Sequence, residues 1–230
     1  MTSHLAAESS EQPSGTGVVV AVCRVAGLLP DDGPVGITAI DKRPAEGRVT
    51  VGQLGVYADV QADRANHGGE EQAVYAYAQE DADFWAAELG REVEPGLFGE
   101  NLRLRGVGVS TAVVGTRWRI GTTVLEVTEP RTPCTTFQNR MGEDRWVVRF
   151  TLANRTGAYL RVVEPGEVGA GDPVVVERVP AHGVTIADWF GARFAGGHAA
   201  PARRLLAAHD AGEIVLAAEM RERALAAVAE

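Results

Sequence analysis

The sequence predicts a mainly β protein with added helices (α+β), an antiparallel barrel or sandwich followed by three short helices. Seven short apolar segments lie between about residues 17 and 178, and Gly, Pro and Asp separate them. Many short strands with frequent turn signals are typical of antiparallel barrels and sandwiches rather than of repeated strand–helix units. After about residue 180 the chain instead becomes rich in Ala and Leu with interspersed charges. This change indicates a separate helical segment at the C-terminal end.

The predicted strands take up most of the first part of the chain. Gly171-Asp172-Pro173 is a turn signal directly before the last of them. The predicted strands are residues 18–25, 35–41, 72–78, 101–105, 118–128, 158–164 and 173–178.

Helices are predicted at two places within this β region. Residues 79–90 carry apolar side chains near helical spacing, and residues 143–153 place Trp146 and Phe150 four positions apart. In the C-terminal segment, Thr185 followed by Asp188 is a capping pair for the first of three helices. These three helices are predicted at 186–194, 201–209 and 214–228.

We therefore expect three parts. Residues 1–16 are polar and read as a disordered tail, residues 17–180 as the barrel domain, and residues 181–230 as a three-helix domain. The tail lacks the basic start and apolar middle of a secretory signal, which favours a cytoplasmic protein.

Composition excludes several classes of function. The net charge of -9 argues against a nucleic-acid-binding protein, because the cations that neutralise phosphates are too few. The longest apolar run, Val18–Cys23, is far shorter than a membrane span, so no membrane partner is expected. Two cysteines are too few for an intrinsic iron–sulfur cluster, and a disulfide is not expected in a reducing compartment.

Cys134 is the most informative residue, in the run Pro130-Arg-Thr-Pro-Cys134 after a predicted strand. Between Arg131 and Arg161 the chain has six arginines and two acidic residues, so the sign of charge is locally inverted. Cations stabilise a thiolate, which is the nucleophilic and metal-binding form of cysteine. A buried, inert cysteine is the alternative, but the exit of a strand favours the reactive interpretation. The second cysteine, Cys23, lies in an apolar run and is predicted to be in the core.

A second cluster, residues 62–69, contains Asp63, His67, Gly68 and Gly69. Consecutive glycines permit positive φ and let backbone N–H groups approach a ligand, while a histidine can transfer protons near neutral pH. The alternative is that this stretch is only a Gly-Gly turn beside a solvent-exposed histidine, which would have the same sequence.

Two weaker motifs complete the set. Asn101, in Phe98-Gly-Glu-Asn101, offers a hydrogen-bond donor and an acceptor, and the stretch from Arg155 to Arg161 is basic around a glycine. Structural turns are the alternative for both.

The order and spacing of these motifs resemble the MOSC family, named for the C-terminal domain of molybdenum-cofactor sulfurases. The resemblance covers roughly residues 18–178, and residues 183–228 resemble the three-helix domain of its bacterial hydroxylaminopurine-resistance branch. The motifs are Ile40-Asp-Lys42-Arg-Pro44, Gln61-Ala-Asp63, His67-Gly-Gly69, Ala73-Val-Tyr-Ala-Tyr77, Phe98-Gly-Glu-Asn101, Pro130-Arg-Thr-Pro-Cys134, Gly157-Ala-Tyr159 and Gly171-Asp172.

The resemblance implies a distorted β-barrel, similar to that of pyruvate kinase, that holds a pterin-based molybdenum cofactor. It makes Cys134 the protein ligand of the metal and a catalytic residue, with His67 and Asp63 as candidates for proton delivery. Gly68, Gly69 and Asn101 are then candidates for contacts with the pterin or its phosphate. The candidates for holding the phosphate are Arg131, Arg155, Arg161, Lys42 and Arg43.

The activity implied is reduction of small N-hydroxylated compounds, such as hydroxylaminopurine, amidoximes and hydroxylamines, with electrons from a separate ferredoxin- or flavin-type donor. Two alternatives stay open. Cys134 transfers sulfur as a persulfide, or acts on carbon–sulfur bonds, without molybdenum; or the chain carries the cofactor without turnover.

Overall fold

The computed structural model describes residues 16–33, 35–60, 68–195 and 197–229. Within these ranges there are thirteen strands, six α-helices and a short 3₁₀ helix at Glu70–Gln72. The strands are β1 Thr16–Val25, β2 Leu29–Pro30, β3 Ile37–Thr38, β4 Lys42–Pro44, β5 Arg48–Gly52, β6 Gly55–Val56, β7 Val74–Ala78, β8 Leu102–Arg105, β9 Arg117–Ile120, β10 Thr123–Pro130, β11 Ala158–Glu164, β12 Gly166–Gly169 and β13 Pro173–Arg178. The helices are α1 Gln79–Leu89, α2 Thr135–Met141, α3 Trp146–Ala153, α4 Ile186–Ala195, α5 Ala199–Asp210 and α6 Ala218–Ala229.

Seven strands close into a barrel. Their order is β13-β9-β10-β11-β7-β8-β1, and β1 pairs back with β13. Neighbouring strands run antiparallel except β7 and β8, which are parallel. A parallel pair needs a crossover connection, and α1 with the loop that follows it provides one. The predicted α+β fold with a distorted barrel is therefore confirmed, and the one parallel pair is the exception to its antiparallel character.

Smaller elements surround the barrel. β4 pairs with the C-terminal end of β1, the sheet β12-β5-β6 lies outside the main sheet, and β2 and β3 form a two-stranded hairpin. The guanidinium of Arg48 in β5 donates to both carboxylate oxygens of Asp172, at 2.8 and 3.0 Å. The carboxylate of Asp172 also accepts from the backbone N–H of Gly169 at 2.9 Å. This bidentate ion pair therefore ties β5 to the turn that precedes β13.

The main apolar core is continuous from the barrel into the C-terminal helices. Leu102, Leu125 and Leu160 are fully buried within the barrel, and Leu205 and Ala224 of the helices belong to the same cluster. The side chains of β10 are buried along residues 123–128. A strand covered on both faces loses the apolar–polar alternation of a half-exposed strand.

A second core, the aromatic cluster, supports α1, α2 and α3. The rings of Trp85 and Trp146 lie 4.5 Å apart between centroids, and those of Phe137 and Phe150 lie 5.1 Å apart. Edge-to-face and tilted ring pairs stabilise a cluster beyond the area that they bury. Because Phe137 belongs to α2, this packing fixes the helix that directly follows Cys134.

The junction between barrel and helices is held by specific hydrogen bonds. Thr185 and Asp188 cap α4 reciprocally, each backbone N–H donating to the other side chain at 3.0 Å, as the sequence predicts. The ring of His182 accepts from the N–H of Val184 at 3.0 Å and bonds the carbonyl of Val114 at 2.9 Å. Burial lowers the pKa of His182.

Several element predictions need correction. The predicted strand 118–128 is two strands, β9 and β10, and the predicted strand 35–41 contains only the two residues of β3. The predictions do not include five short strands (β2, β4, β5, β6 and β12) or the helix α2. Their sequences are too short to show a clear hydrophobic period. Apart from Thr16, the predicted tail 1–16 lies outside the described residues.

The helices predicted within and after the barrel are present. α1 and α3 correspond to the predictions at 79–90 and 143–153, and the three C-terminal helices begin and end within a few residues of their predicted limits. None of the helices in the described ranges is long and apolar enough to cross a membrane.

Candidate functional site

The candidate site is a cavity of about 430 Å³ at one side of the barrel. Its wall combines the β2–β3 hairpin, β4, β7, the loop before β8, the segment after β10 and the start of β11. Polar and aromatic residues make up much of the wall. Those used below are Asp31, Lys42, Asp59, Gly68, Gln72, Tyr75, Asn101, Arg131, Cys134, Thr136 and Tyr159.

Cys134 is a free, partly exposed cysteine in the wall of this cavity. Its backbone is extended, and its carbonyl accepts the first helical hydrogen bond of α2 from the N–H of Gln138 at 3.0 Å. Cys23 is fully buried, and burial raises its pKa to about 12. The structure therefore has one accessible cysteine, Cys134, and one core cysteine, Cys23, as the sequence predicts.

Arg131 presents an unpaired cation to the cavity. The residue is only 6% exposed, and its guanidinium lies 3.7 Å from the centroid of the Phe137 ring. No ion pair joins Arg131 to a carboxylate of the described residues, and its Nη1 atom is buried without a hydrogen-bond partner there. A buried charged donor without a partner is costly. The arrangement therefore favours a ligand that brings an anion to this point.

Lys42 and Asp59 form a second charged group in the same wall. The Nζ atom of Lys42 lies 2.6 Å from the Asp59 carboxylate, and the two side chains are 12% and 9% exposed. The same carboxylate accepts from the Asn101 side chain at 2.7 Å and from the backbone N–H of Val25 at 2.9 Å. An ammonium has three N–H donors, so Lys42 can bind a ligand anion while it stays paired with Asp59.

Asn101 stabilises the Lys42–Asp59 pair through hydrogen bonds. Its Nδ2 donates to Asp59 and to the carbonyl of Cys23, at 2.7 and 3.2 Å, and its Oδ1 accepts from the N–H of Tyr75 at 3.1 Å. Both hydrogens of the amide are therefore used within the protein. Asn101 lines the cavity, as predicted, but its side-chain donors hold the wall together rather than face a ligand.

Two tyrosines form the apolar side of the cavity. The hydroxyl of Tyr75 donates to the carbonyl of Thr156 at 2.9 Å, and the ring of Tyr159 lies 5.3 Å from the Tyr75 ring. Burial raises the pKa of both phenols. At Tyr159 the positive charge of Arg131 opposes this effect, whereas the negative charge of Glu129 adds to it.

The glycine pair has the backbone conformation that the sequence predicts. Gly68 and Gly69 have φ values of 119° and 79°, a region that favours glycine. The N–H of Gly68 donates to the side-chain oxygen of Gln72 at 2.9 Å. A second bond, from Gln72 Nε2 to Glu129 at 2.8 Å, holds that side chain in place. The Gly68 N–H therefore serves the wall of the cavity and not a ligand.

The mouth of the cavity is apolar. Val35, Ile37 and Val60 line it and are 44%, 43% and 43% exposed. The hairpin that carries Ile37 is joined to α2 by a hydrogen bond from Thr136 to Asp31 at 3.0 Å. A ligand here would place polar groups on the charged inner wall and apolar surface against this rim.

A comparison with protein families identifies the barrel. Residues 63–175 match the family model of the MOSC domain. The chain carries a MOSC domain. The matched residues include Arg131, Cys134 and Tyr159, whereas Lys42 and Asp59 of the cavity precede them.

Three relatives match part of the chain. YflK of Bacillus subtilis is 36% identical over 134 residues, 58% of this chain and 61% of that protein. YiiM of Escherichia coli is 30% identical over 146 residues, 62% of this chain and 65% of that protein. A protein of Gibberella moniliformis named "Reductase" is 33% identical over 141 residues, 60% of this chain and 25% of that protein. The chain thus spans under two thirds of each relative.

The fold of the MOSC domain and the helices after it are also found together in a solved structure. The crystal structure of YiiM from Geobacillus stearothermophilus superposes with a TM-score of 0.74 over 92% of this chain and 99% of that one, at 24% identity. At this identity the likeness concerns the fold. The sequence predicts a bacterial branch of the family, and the likeness to YiiM proteins supports a bacterial, YiiM-like branch.

Five of the predicted site residues of the MOSC protein meet in the cavity. Asp63 and His67, the two candidates for proton delivery, lie outside the described residues. Among the described residues no group of three or more His, Cys, Asp or Glu side chains is arranged to hold a metal ion. The five residues that meet are Lys42, Gly68, Asn101, Arg131 and Cys134.

Three predicted arginines bind protein carboxylates away from the cavity. Arg43 has a 72% exposed side chain and pairs with Asp41, and Arg155 pairs with Asp81 at 2.6 Å beside a different cleft. Arg161 bridges Glu126 and Glu71, at 2.8 and 3.0 Å. The expectation that these three hold a phosphate is therefore not supported by their positions. Gly69 adjoins the cavity but is not part of its wall.

Asp59 and Tyr159 are the site residues that the sequence did not single out as such. Asp59 follows β6 in the irregular segment after Val56, where no period marks it. A lone carboxyl among the apolar residues Val56, Tyr57 and Val60 is the signal that was available. Tyr159 was noted only as part of a motif, because a strand tyrosine usually packs in a core.

Proposed function

We propose that the cavity holds a molybdenum–pterin cofactor and that the protein reduces small N-hydroxylated compounds. The observation that carries the proposal is the presence, in one cavity, of a partly exposed cysteine and a buried arginine with an unpaired Nη1 atom. The first suits a soft metal and the second an anionic group of the same ligand.

The residues present fit such a group. Cys134 would be the one protein ligand of a metal that brings its own dithiolene sulfurs, and Arg131 and Lys42 would bind the phosphate. Binding a phosphate at Arg131 would satisfy the buried guanidinium that lacks a partner. When bound, the cofactor would supply the two electrons that break the N–O bond of the substrate.

The other residues would position these groups. Asp59, held by Asn101 and the backbone of Val25, fixes the ammonium of Lys42 in the wall. Val35, Ile37 and Val60 would contact the organic part of the substrate at the mouth. Asp63 and His67 remain the candidates for proton delivery from the segment outside the described residues.

Two comparisons support a redox role. Residues 63–175 match the MOSC domain, and a relative that aligns with 60% of this chain bears the name "Reductase". The aligned part makes up only 25% of that relative. We propose that here a separate ferredoxin- or flavin-type protein supplies the electrons, and that the protein acts in the cytoplasm without nucleic-acid or membrane partners.

Paired cysteine variants test the proposal. Cys134→Ala removes the accessible thiol and Cys23→Ala the buried one, so the second is the matched control. We expect wild type and Cys23→Ala, purified from the native host, to contain molybdenum by elemental analysis and to reduce benzamidoxime and hydroxylaminopurine with an artificial donor. Cys134→Ala should contain no molybdenum and reduce neither.

Other results would redirect the assignment. Stoichiometric molybdenum in Cys134→Ala would disprove the ligand role of the thiolate. A sulfane-labile Cys134 in a metal-free wild-type protein would favour sulfur transfer. Bound cofactor without reduction of any N-hydroxylated compound under strong chemical reductant would favour a carrier of the cofactor.

A further inference from the structure

Tyr159 carries a hydroxyl that the fold itself does not use. The residue is the second of β11, it is partly exposed, and it lines the cavity that contains Cys134. Its hydroxyl forms no hydrogen bond with any residue in the described ranges. Its ring packs against Tyr75, with 5.3 Å between centroids, and against the aromatic cluster, so the side chain is held in the wall by its ring.

The neighbouring tyrosines differ in this respect. Tyr75 donates its hydroxyl to the carbonyl of Thr156 at 2.9 Å, and Tyr77 donates to the carbonyl of Arg155 at 2.8 Å. Buried tyrosines normally find such a partner for the O–H. Among these three, Tyr159 is the one whose hydroxyl remains available to a ligand.

Tyr159 shares the wall of one cavity with Cys134 and Arg131, and its unbonded hydroxyl is therefore a donor close to the site proposed for the substrate. Burial, the largest effect on this phenol, raises its pKa, so the hydroxyl stays protonated at neutral pH.

We propose that Tyr159 is a catalytic residue that donates a hydrogen bond, and then a proton, to the hydroxyl oxygen of the N-hydroxylated substrate. This inference rests on the proposed function and adds a proton donor within the described part of the site. Lys42 is less suited to the task, because its ammonium is already paired with Asp59 at 2.6 Å.

The step balances as R–NHOH + 2e⁻ + 2H⁺ → R–NH₂ + H₂O. The N–O bond breaks, the two electrons come from the cofactor of the proposed function, and the external donor replaces them. Tyr159 gives one proton to the departing oxygen, which leaves as water. Solvent in the open cavity supplies the second proton and restores the phenol.

Tyr159→Phe tests the inference, because it removes the hydroxyl and keeps the ring that packs on Tyr75. General acid catalysis is worth about a hundredfold or more, so kcat for benzamidoxime should fall by at least that factor. The Kd for benzamidoxime, measured by calorimetry on the oxidised protein, should rise by no more than about tenfold, the effect of one lost hydrogen bond. Molybdenum content should equal that of wild type.

The control removes the same atom from an exposed site. Tyr57 is 71% exposed and does not line the cavity, so Tyr57→Phe should match wild type in kcat, Kd and molybdenum. A kcat of Tyr159→Phe within about threefold of wild type would overturn the inference. Loss of molybdenum in Tyr159→Phe would also overturn it, since the tyrosine would then hold the cofactor. A wild-type protein that reduces no N-hydroxylated compound would overturn the proposed function, and this inference with it.

Discussion

Two buried arginines contact the same aromatic cluster and have opposite surroundings. Arg103 lies 5.8 Å from the ring of Tyr77, and Arg131 lies 3.7 Å from the ring of Phe137. Arg103 is fully buried with Glu100 and also donates to the carbonyls of Val93 and Glu94, both at 3.2 Å. Arg131 has no carboxylate partner among the described residues, and its Nη1 atom has no hydrogen bond there.

The difference indicates that the charge of Arg103 is structural, whereas the charge of Arg131 is available to a ligand. Glu100 accepts from Arg103 and from the N–H groups of Gly96 and Phe98, at 2.8 and 3.1 Å, so that network shapes the loop before β8. Every member of it is satisfied within the protein. Arg131 holds an unmet charge in a cavity, a costly arrangement unless a ligand compensates for it.

The largest expected effect is on stability, from Arg103→Met. The variant leaves the Glu100 carboxylate buried without its cation, which costs about 3–5 kcal/mol in comparable pairs. Chemical denaturation should show this loss in the free energy of unfolding. Arg119→Met, which breaks two exposed ion pairs with Glu164 and Glu177, is the control and should cost far less. A loss for Arg103→Met as small as that of the control would show that the two arginines do not differ in structural role.

Arg131→Met should have the opposite profile. Replacing an unpaired buried cation by an apolar side chain of similar length should leave the free energy of unfolding within about 1 kcal/mol of wild type, or raise it. Loss of charged hydrogen bonds to the ligand should lower cofactor occupancy about tenfold or more, measured as molybdenum per chain. Full occupancy together with a large loss of stability would reverse the comparison.

The smallest effect concerns pH and lies outside both regions. Burial lowers the pKa of His182 from 6.5, so the folded protein binds this proton less tightly than the unfolded chain does. The contribution to stability is therefore present above about pH 6.5 and is lost as the pH falls through the lowered pKa.

His182→Gln separates this effect from the two arginines. A glutamine can still donate to the carbonyl of Val114 and accept from the N–H of Val184, but it does not titrate. We expect denaturation curves at several pH values to lose part of their acid dependence in this variant, and to keep it in Arg131→Met. An unchanged dependence in His182→Gln would place the titrating group elsewhere.

The sequence predicted the strands and helices that have a clear period, but not the spatial pairing of charges. Six arginines between 131 and 161 suggested one electropositive surface around Cys134. In the fold, three of them pair with acids from distant parts of the chain, Arg149 pairs with a nearby acid, and Arg131 is the one of the six that lines the cavity. The pairs are Arg140 with Asp41, Arg149 with Glu143, Arg155 with Asp81, and Arg161 with Glu126 and Glu71.

In the candidate site, too, the sequence predicted the features that depend on local pattern and missed those that depend on long-range contacts. The motif around Cys134 predicted an accessible cysteine after a strand, since that depends on local sequence alone. Lys42 is paired with Asp59, which lies 17 positions away in the sequence, and Asp59 is held by Asn101, 42 positions further along. Barrel closure brings these three residues together. No local pattern contains such contacts, and the same holds for the free hydroxyl of Tyr159.

The contrast between the two thiols also has a practical consequence. Cys23 is sealed in the core, and burial raises its pKa to about 12, so alkylating reagents should not reach it in the native protein. A maleimide or iodoacetamide label would then report on Cys134 alone. Mass spectrometry of the labelled, intact chain would thus count the fraction of molecules whose accessible sulfur is vacant, with no assay of turnover and no engineered tag.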